Sequence, residues 1–162
     1  MQYLVLAGGN IGNTIQYISR AFASLEQRFG SKTAQSAFYS SEPWGFRSEQ
    51  HFINAALLLE SDLDPESMLR SLLLLEQEAG RVRDSEAIGY SARTLDLDLL
   101  FAGNLVYSSR DLELPHPRMH IRRFALMPAA ELMPGYIHPV LKQTLQQLLD
   151  TCTDEGRVEK MV

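Results

Sequence analysis

Asp96 and Asp98 stand two residues apart in Arg93-Thr94-Leu95-Asp96-Leu97-Asp98-Leu99-Leu100. Alternating leucines predict a β-strand here, where successive side chains point to opposite faces. Leu95, Leu97 and Leu99 then turn one way, and Asp96 and Asp98 share the other face. Carboxylates at such positions lie roughly 7 Å apart, within reach of one shared divalent cation or of two adjacent ones. In so apolar a setting, two anions without a positive partner would be costly. Oxygen ligands favour Mg2+ over zinc or copper. The solvated face of an amphipathic strand would give the same letters, so the reading depends on the neighbours.

Those neighbours are arginines. The chain has 12 arginines and 3 lysines, and seven of the arginines (Arg81, Arg83, Arg93, Arg110, Arg118, Arg122, Arg123) fall between residues 81 and 123. That window contains no lysine and six acids, for a net charge of +1, against −6 for the remainder. A guanidinium offers a planar fork of donors that matches phosphate oxygens. Scattered surface arginines in weak ion pairs are the plainer account. The usual phosphate loops are absent: there is no Gly-x-x-x-x-Gly-Lys-Ser/Thr, and Gly8-Gly9-x-x-Gly12 fits a strand-to-helix turn better than a dinucleotide fingerprint. Phosphate binding would therefore fall to the arginines around the aspartates.

His116 and His120 lie four apart in His-Pro-Arg-Met-His. On a helix that spacing could hold zinc, but no glutamate follows the first histidine and Pro117 favours a helix start. A phosphate-facing His116 is the more natural role. Phe52, Phe124 and Trp44 are core residues by default, as most aromatics are. Asn54 shares a strand face with Phe52 and precedes an apolar run, so its amide needs partners, and a flat heteroaromatic ligand is one candidate.

These residues need a scaffold to bring them together. Residues 2–7 predict an apolar strand, 8–13 a turn, and Ile15, Ile18, Phe22, Leu25 and Phe29 one face of a helix ended by Gly30. Strands follow at 33–39 and 51–60, with a loop at 40–50 between them. Asp64 caps a second helix with Pro65 in its first turn; Met68, Leu69, Leu72, Leu73 and Leu75 form its buried face, and Gly80 stops it. A polar loop spans 81–93, a strand 94–101, and a turn at 102–104 leads to a short partner strand at 105–108. Two helices near 118–132 and 140–151 and a polar tail complete the chain. This is an α+β class of ferredoxin-like βαββαβ pattern with extra C-terminal helices and a short extra hairpin strand, helices on one sheet face and loops or a ligand on the other. With 162 residues, 45% of them apolar, and no linker or repeat, one domain over 1–162 is expected. Cys152 is the only cysteine, the first strand is no signal peptide, and no apolar run approaches a membrane span. A cytoplasmic protein is expected. Its net charge of −5 argues against nonspecific nucleic-acid binding.

Four segments, in order and at matching spacing, resemble the 6-hydroxymethyl-7,8-dihydropterin pyrophosphokinase family of folate biosynthesis. They are Phe52-Ile53-Asn54-Ala55-Ala56, Glu76-x-x-x-Gly80-Arg81-x-Arg83, Arg93 to Leu100, and Leu114-Pro115-His116-Pro117-Arg118 followed by Arg122 and Phe124-Ala125-Leu126. The resemblance implies transfer of pyrophosphate from ATP to the pterin hydroxymethyl oxygen, releasing AMP. It implies two Mg2+ ions on Asp96 and Asp98, with Arg81 and Arg93 completing the catalytic set. Glu76, Arg81, Arg83, Arg93, Leu99, Arg110, His116 and Arg122 would serve ATP. Ser41, Pro43, Trp44, Phe52, Asn54 and Phe124 would surround the pterin, with the two phenylalanines as its walls. A monomer whose partners are small molecules, without nucleic acid or membrane, is expected. Three positions depart from the family pattern: Ile88 where a tryptophan helps seal the site, Ser91 where glycine or alanine is usual, and Phe52 where tyrosine is common. The 40–50 and 81–93 loops are expected to move without ligand. A non-catalytic ferredoxin-like sensor would explain fold and aromatics but not Asp96 and Asp98 beside Arg93. An RNA-binding sheet or a nucleotidyl transferase fits less well.

Overall fold

The computed structural model describes residues 1–42, 51–80 and 94–161. The expectations for Pro43, Trp44, Arg81, Arg83, Arg93, Ile88 and Ser91, and for most of the two loops, fall outside these residues. Strand β1 (Gln2–Gly9) lies inside an antiparallel sheet, between β4 (Phe52–Glu60) and β5 (Asp96–Ala102). Beyond β4 come β2 (Ser31–Gln35) and β3 (Tyr39–Ser41), both paired to β4, and β8 (Val158–Lys160) pairs to β3 at the far edge. The helices are α1 (Thr14–Arg28), α2 (Pro65–Glu78), α3 (Arg123–Leu132) and α4 (Leu145–Asp150). The described residues thus form a mixed α/β structure with an antiparallel sheet and four α-helices.

Helices cover both sheet faces, not one as expected. Tyr3, Val5, Ala7, Leu57, Leu59, Leu97 and Leu99 pack with Ile18, Phe22 and Leu25 of α1 and Met68, Leu72 and Leu75 of α2. Leu4, Leu6, Ala56, Leu58, Leu100 and Phe101 turn to the opposite face, against Leu126 and Ala129 of α3 and Leu145 and Leu148 of α4. Burial on both sides explains why β1 and β4 read as unbroken apolar runs. The register jumps between Val5↔Leu99 and Leu4↔Phe101, which leaves Leu100 as the extra residue of a bulge. Both Leu100 and Phe101 therefore join the α3 side.

Asn13 caps α1, its side chain accepting from the Gln16 N–H at 3.2 Å. Asp64 caps α2 by accepting from the Ser67 N–H at 2.9 Å, with Pro65 at the first helical position as expected. Ile15 departs from its expected face and is exposed, and Leu69 and Leu73 are only half-buried. The expected strand 33–39 is two strands. Between them, Ser36 uses its backbone N–H on Ala56 O (2.9 Å) and its hydroxyl oxygen accepts the Ala56 N–H (2.8 Å). A side chain thus stands in for a ladder carbonyl, and the register shifts.

The partner strand expected at 105–108 does not pair with β5. Its last residues form β6 (Tyr107–Ser108), which pairs with β7 (Glu113–Leu114) in a separate two-stranded sheet. The outer edge of β5 is used elsewhere: Glu76 Oε1 accepts the Leu97 N–H at 2.7 Å, and the His116 N–H donates to Leu100 O at 2.8 Å. The expected helix 118–132 opens with a 3-10 turn at Met119–Ile121 before α3. The helix near 140–151 shortens to α4 because Thr144 and Gln147 form a reciprocal capping box at its start. The tail is a strand, β8, rather than an irregular end. No helix among the described residues is long and apolar enough to cross a membrane.

Leu57 is completely buried and Ile15 is 38% exposed. Leu57→Ala should lower unfolding stability in urea by about 2–5 kcal/mol, and Ile15→Ala by less than about 0.5 kcal/mol. Equal losses would contradict the packing described.

Candidate functional site

One row across the sheet assembles the first half of the site. Asp96 on β5 stands opposite Gly8 on β1, Gly8 opposite Asn54 on β4, and Asn54 opposite Tyr39 on β3. Asp98 is opposite Leu6. Asp96 and Asp98 do share a face, as the leucine alternation predicted, with Leu97 and Leu99 buried on the other. Among the described residues, Leu6, Gly8, Ser41, Glu42, Phe52, Asn54, Asp96, Asp98 and Phe124 line one pocket of about 410 Å³.

Asn54 is buried, and its Nδ2 donates to Ser41 Oγ at 2.9 Å, which orients the amide. Gly8 makes this possible: a Cβ on Gly8 would collide with Asn54 Oδ1. Sequence reasoning placed Gly8 in a turn. Its place at the end of β1, two positions after Leu6 on the same face, was the signal available. Leu6, which also lines the pocket, carries no signal beyond its apolar character. Phe52, at the start of β4, and Phe124, in the first turn of α3, enter the pocket from different elements. The Arg122 guanidinium lies 5.7 Å from the centre of the Phe124 ring, a cation–π distance. Arg122 itself is buried.

A second groove, of about 750 Å³, runs along the outer edge of β5. Leu69, Leu97, Asp98, Leu99, Ser109, Arg110, Asp111, Leu112, Glu113, His116 and Pro117 line it. Four residues expected on the ATP side or at the metal, namely Asp98, Leu99, Arg110 and His116, meet here. Asp98 lines both cavities.

His116 is set by two backbone groups. Its own N–H donates to Leu100 O, and its Nδ1 accepts the Arg118 N–H at 3.1 Å. With Nδ1 an acceptor, the neutral ring carries its proton on Nε2. Burial pushes the imidazole down from 6.5 to about 4, and the nearby Arg122 and Arg118 push the same way against the pull of Asp96. A neutral donor results. His120 packs edge-on to His138 at 6.3 Å, and His138 Nδ1 accepts the N–H groups of Val140 and Leu141. Of the pair whose spacing could hold zinc, His116 has its Nδ1 engaged by the Arg118 N–H and His120 packs on His138.

Glu76 is buried, and its Leu97 contact lies midway between Asp96 and Asp98. The carboxylate braces the strand that carries them. Among the described residues no group of three or more histidines, cysteines, aspartates or glutamates could hold a metal. Two carboxylates on one face suit Mg2+, which keeps waters and takes substrate phosphate oxygens as its other ligands. An all-protein cage, as structural zinc requires, is a poorer match.

A family model described as 7,8-dihydro-6-hydroxymethylpterin-pyrophosphokinase (HPPK) matches residues 4–134. The 2-amino-4-hydroxy-6-hydroxymethyldihydropteridine pyrophosphokinase of Porphyromonas gingivalis is 39% identical over 140 residues, covering 85% of this chain and 92% of that one. A Synechocystis protein of the same name is 35% identical over 144 residues, covering 88% and 72%. The fold superposes on a Plasmodium falciparum HPPK-DHPS crystal structure with a TM-score of 0.76 at 14% identity. That match covers 92% of this chain and 42% of the longer one, so the chain spans about two fifths of the protein it superposes on.

The His116 environment predicts a pH effect on stability. Unfolded, the ring takes a proton near pH 6.5; folded, it resists until about pH 4. Between those values the unfolded state binds more protons, so stability falls as pH drops through the window and this contribution levels off below it. Urea denaturation of ligand-free His116→Gln should show a shallower fall across that window than the unsubstituted chain. An unchanged slope would exclude a neutral buried ring.

Proposed function

Because the chain belongs to the 7,8-dihydro-6-hydroxymethylpterin-pyrophosphokinase family, we propose that it transfers pyrophosphate from ATP to the hydroxymethyl group of 6-hydroxymethyl-7,8-dihydropterin in folate synthesis. The pterin hydroxymethyl oxygen forms a bond to the β-phosphorus, the bond between that phosphorus and the α,β-bridging oxygen breaks, and AMP leaves. The hydroxyl proton passes to solvent. The observation that carries this reading is the position of Asp98 on the wall of both cavities, with Asp96 beside it in the aromatic pocket. Donor phosphates in the groove and an acceptor ring in the pocket would meet at this carboxylate pair.

In this reading Asp96 and Asp98 would hold two Mg2+ ions. Bound there, the ions would neutralise the triphosphate and polarise the phosphorus under attack. Phe52 and Phe124 sandwich the pterin, and Asn54, oriented by Ser41, hydrogen-bonds its polar edge. By the family resemblance, Pro43 and Trp44 would also belong to the pterin's surroundings. Leu99, Arg110 and the Nε2–H of His116 face the nucleotide, with Glu76 setting the strand behind them. Arg122 contributes charge from beside Phe124. By the family resemblance, Arg81, Arg83 and Arg93 would complete the phosphate ligands. Such transfer depends on alignment and charge neutralisation more than on covalent help, so no general base is assigned.

The strand order, with β1 between β5 and β4 and the β2–β3 segment outside β4, supports a ferredoxin-like description. We read residues 1–162 as one domain acting as a cytoplasmic monomer, with ATP and the pterin as its only partners. The relatives are named as enzymes, and nothing favours a non-catalytic sensor.

Three measurements test this reading. Incubation with ATP, Mg2+ and 6-hydroxymethyl-7,8-dihydropterin should yield AMP only when all three are present; ADP or free pyrophosphate would overturn the assigned reaction. Asp96→Asn and Asp98→Asn should each lower kcat by roughly 100-fold or more, as expected for a lost metal ligand, with little change in Tm. Near-normal turnover would remove the carboxylates from the mechanism. Phe124→Ala should weaken pterin binding by about 1–3 kcal/mol, the scale of aromatic stacking, and leave ATP binding nearly unchanged. Equal weakening of both ligands would make Phe124 a core residue.

A further inference from the structure

The two walls of the aromatic pocket are joined by a segment beyond the matched residues 4–134. Helix α3 carries Phe124 in its first turn, yet its N-cap residue, Arg122, makes no side-chain capping bond. The missing acceptor comes from the tail. Asp154 Oδ2 accepts the Arg123 N–H at 2.9 Å, and Oδ1 accepts the Gly156 N–H at 2.8 Å. The Arg123 side chain returns to the same segment, with Nε donating to Asp154 O and Nη2 to Cys152 O, each at 3.1 Å. A carboxylate at a helix N-terminus satisfies an otherwise orphaned N–H and complements the helix dipole. Here it also fixes the residue immediately before Phe124.

The same tail then reaches the opposite wall. The Glu42 N–H donates to Arg157 O at 3.2 Å, and Val158 stands opposite Ser41 in the β3–β8 ladder. Ser41 is the residue that orients Asn54. The tail from Cys152 to Val158 therefore bridges the start of α3 and the β3 edge.

We infer that Asp154 is a positioning residue for the aromatic pocket: by capping α3 from the tail, it fixes Phe124 at a set distance from Ser41 and Asn54. The inference rests on the pterin reading of that pocket. The nucleotide groove is lined by Leu69, β5 and the 109–117 segment, none of which the cap touches, so it should be less sensitive to the cap than the aromatic pocket.

The test compares Asp154→Ala and Asp154→Asn in the full chain. Asp154→Ala should raise KM for the pterin about threefold to tenfold, the factor that a lost helix cap of ordinary strength represents, with KM for ATP within about twofold of the parent. The asparagine oxygen can still accept the Arg123 N–H, so Asp154→Asn should recover most of the loss. Hydrogen exchange at the first turn of α3 is followed in parallel, and should quicken in Asp154→Ala but not in Asp154→Asn. The inference is overturned if both KM values rise together, if neither moves, or if Asp154→Asn is as impaired as Asp154→Ala. Should the parent chain form no AMP, the functional reading fails. The exchange data then still decide whether Asp154 caps α3, and unchanged exchange would end the positioning role as well.

Discussion

The pairing of β1 with β4 on one side and β5 on the other fixes which side chains can meet. An antiparallel register repeats every two residues, so a slip of one would send Asp96 and Asp98 to the face covered by α1 and α2. In the observed register Gly8 separates Asn54 from Asp96, and the missing side chain on Gly8 leaves room for the Asn54 amide. The apolar alternation of β1, β4 and β5 holds that register through burial on both faces. Chemistry at one end of the sheet thus depends on leucines in its middle.

Elements with a strong local signal were legible in the sequence. The Asp64–Pro65 start of α2, the face assignment of Leu97 against Asp98, and the apolar body of β1 follow from capping chemistry and periodicity alone. What escaped were features set by distant partners. Ser36 replaces a ladder bond only because Ala56 lies opposite it. Residues 105–108 lose β5 as a partner because Glu76 and His116 occupy its edge. Strand β8 forms from a polar tail because the β3 edge offers main-chain bonds, which no side-chain pattern records. The site behaves likewise. Asp96, Asp98, Phe52, Asn54, His116 and Phe124 were visible as residue types suited to the chemistry. Gly8 was visible only as a glycine, because its value lies in what its neighbour does.

The electrostatics of the site combine opposing demands. Carboxylates on β5 attract cations, while Arg118 and Arg122 crowd His116 and help keep it neutral. A neutral imidazole can still donate from Nε2 without adding a charge. Arg122 stacks toward Phe124, so one aromatic ring faces both the pocket and a guanidinium. Arginine suits that position, since its flat, weakly hydrated cation can lie near a ring in a buried setting.

Asp98 belongs to two cavities at once. A shared wall gives the occupants of those cavities a physical route to thermodynamic coupling. Whatever charge or strand displacement at Asp98 accompanies filling the groove is felt in the aromatic pocket, and the converse holds by reciprocity. A ligand that tightens its neighbour by some factor must itself be tightened by the same factor. If the proposed reading holds, one carboxylate is the common boundary of both substrate sites.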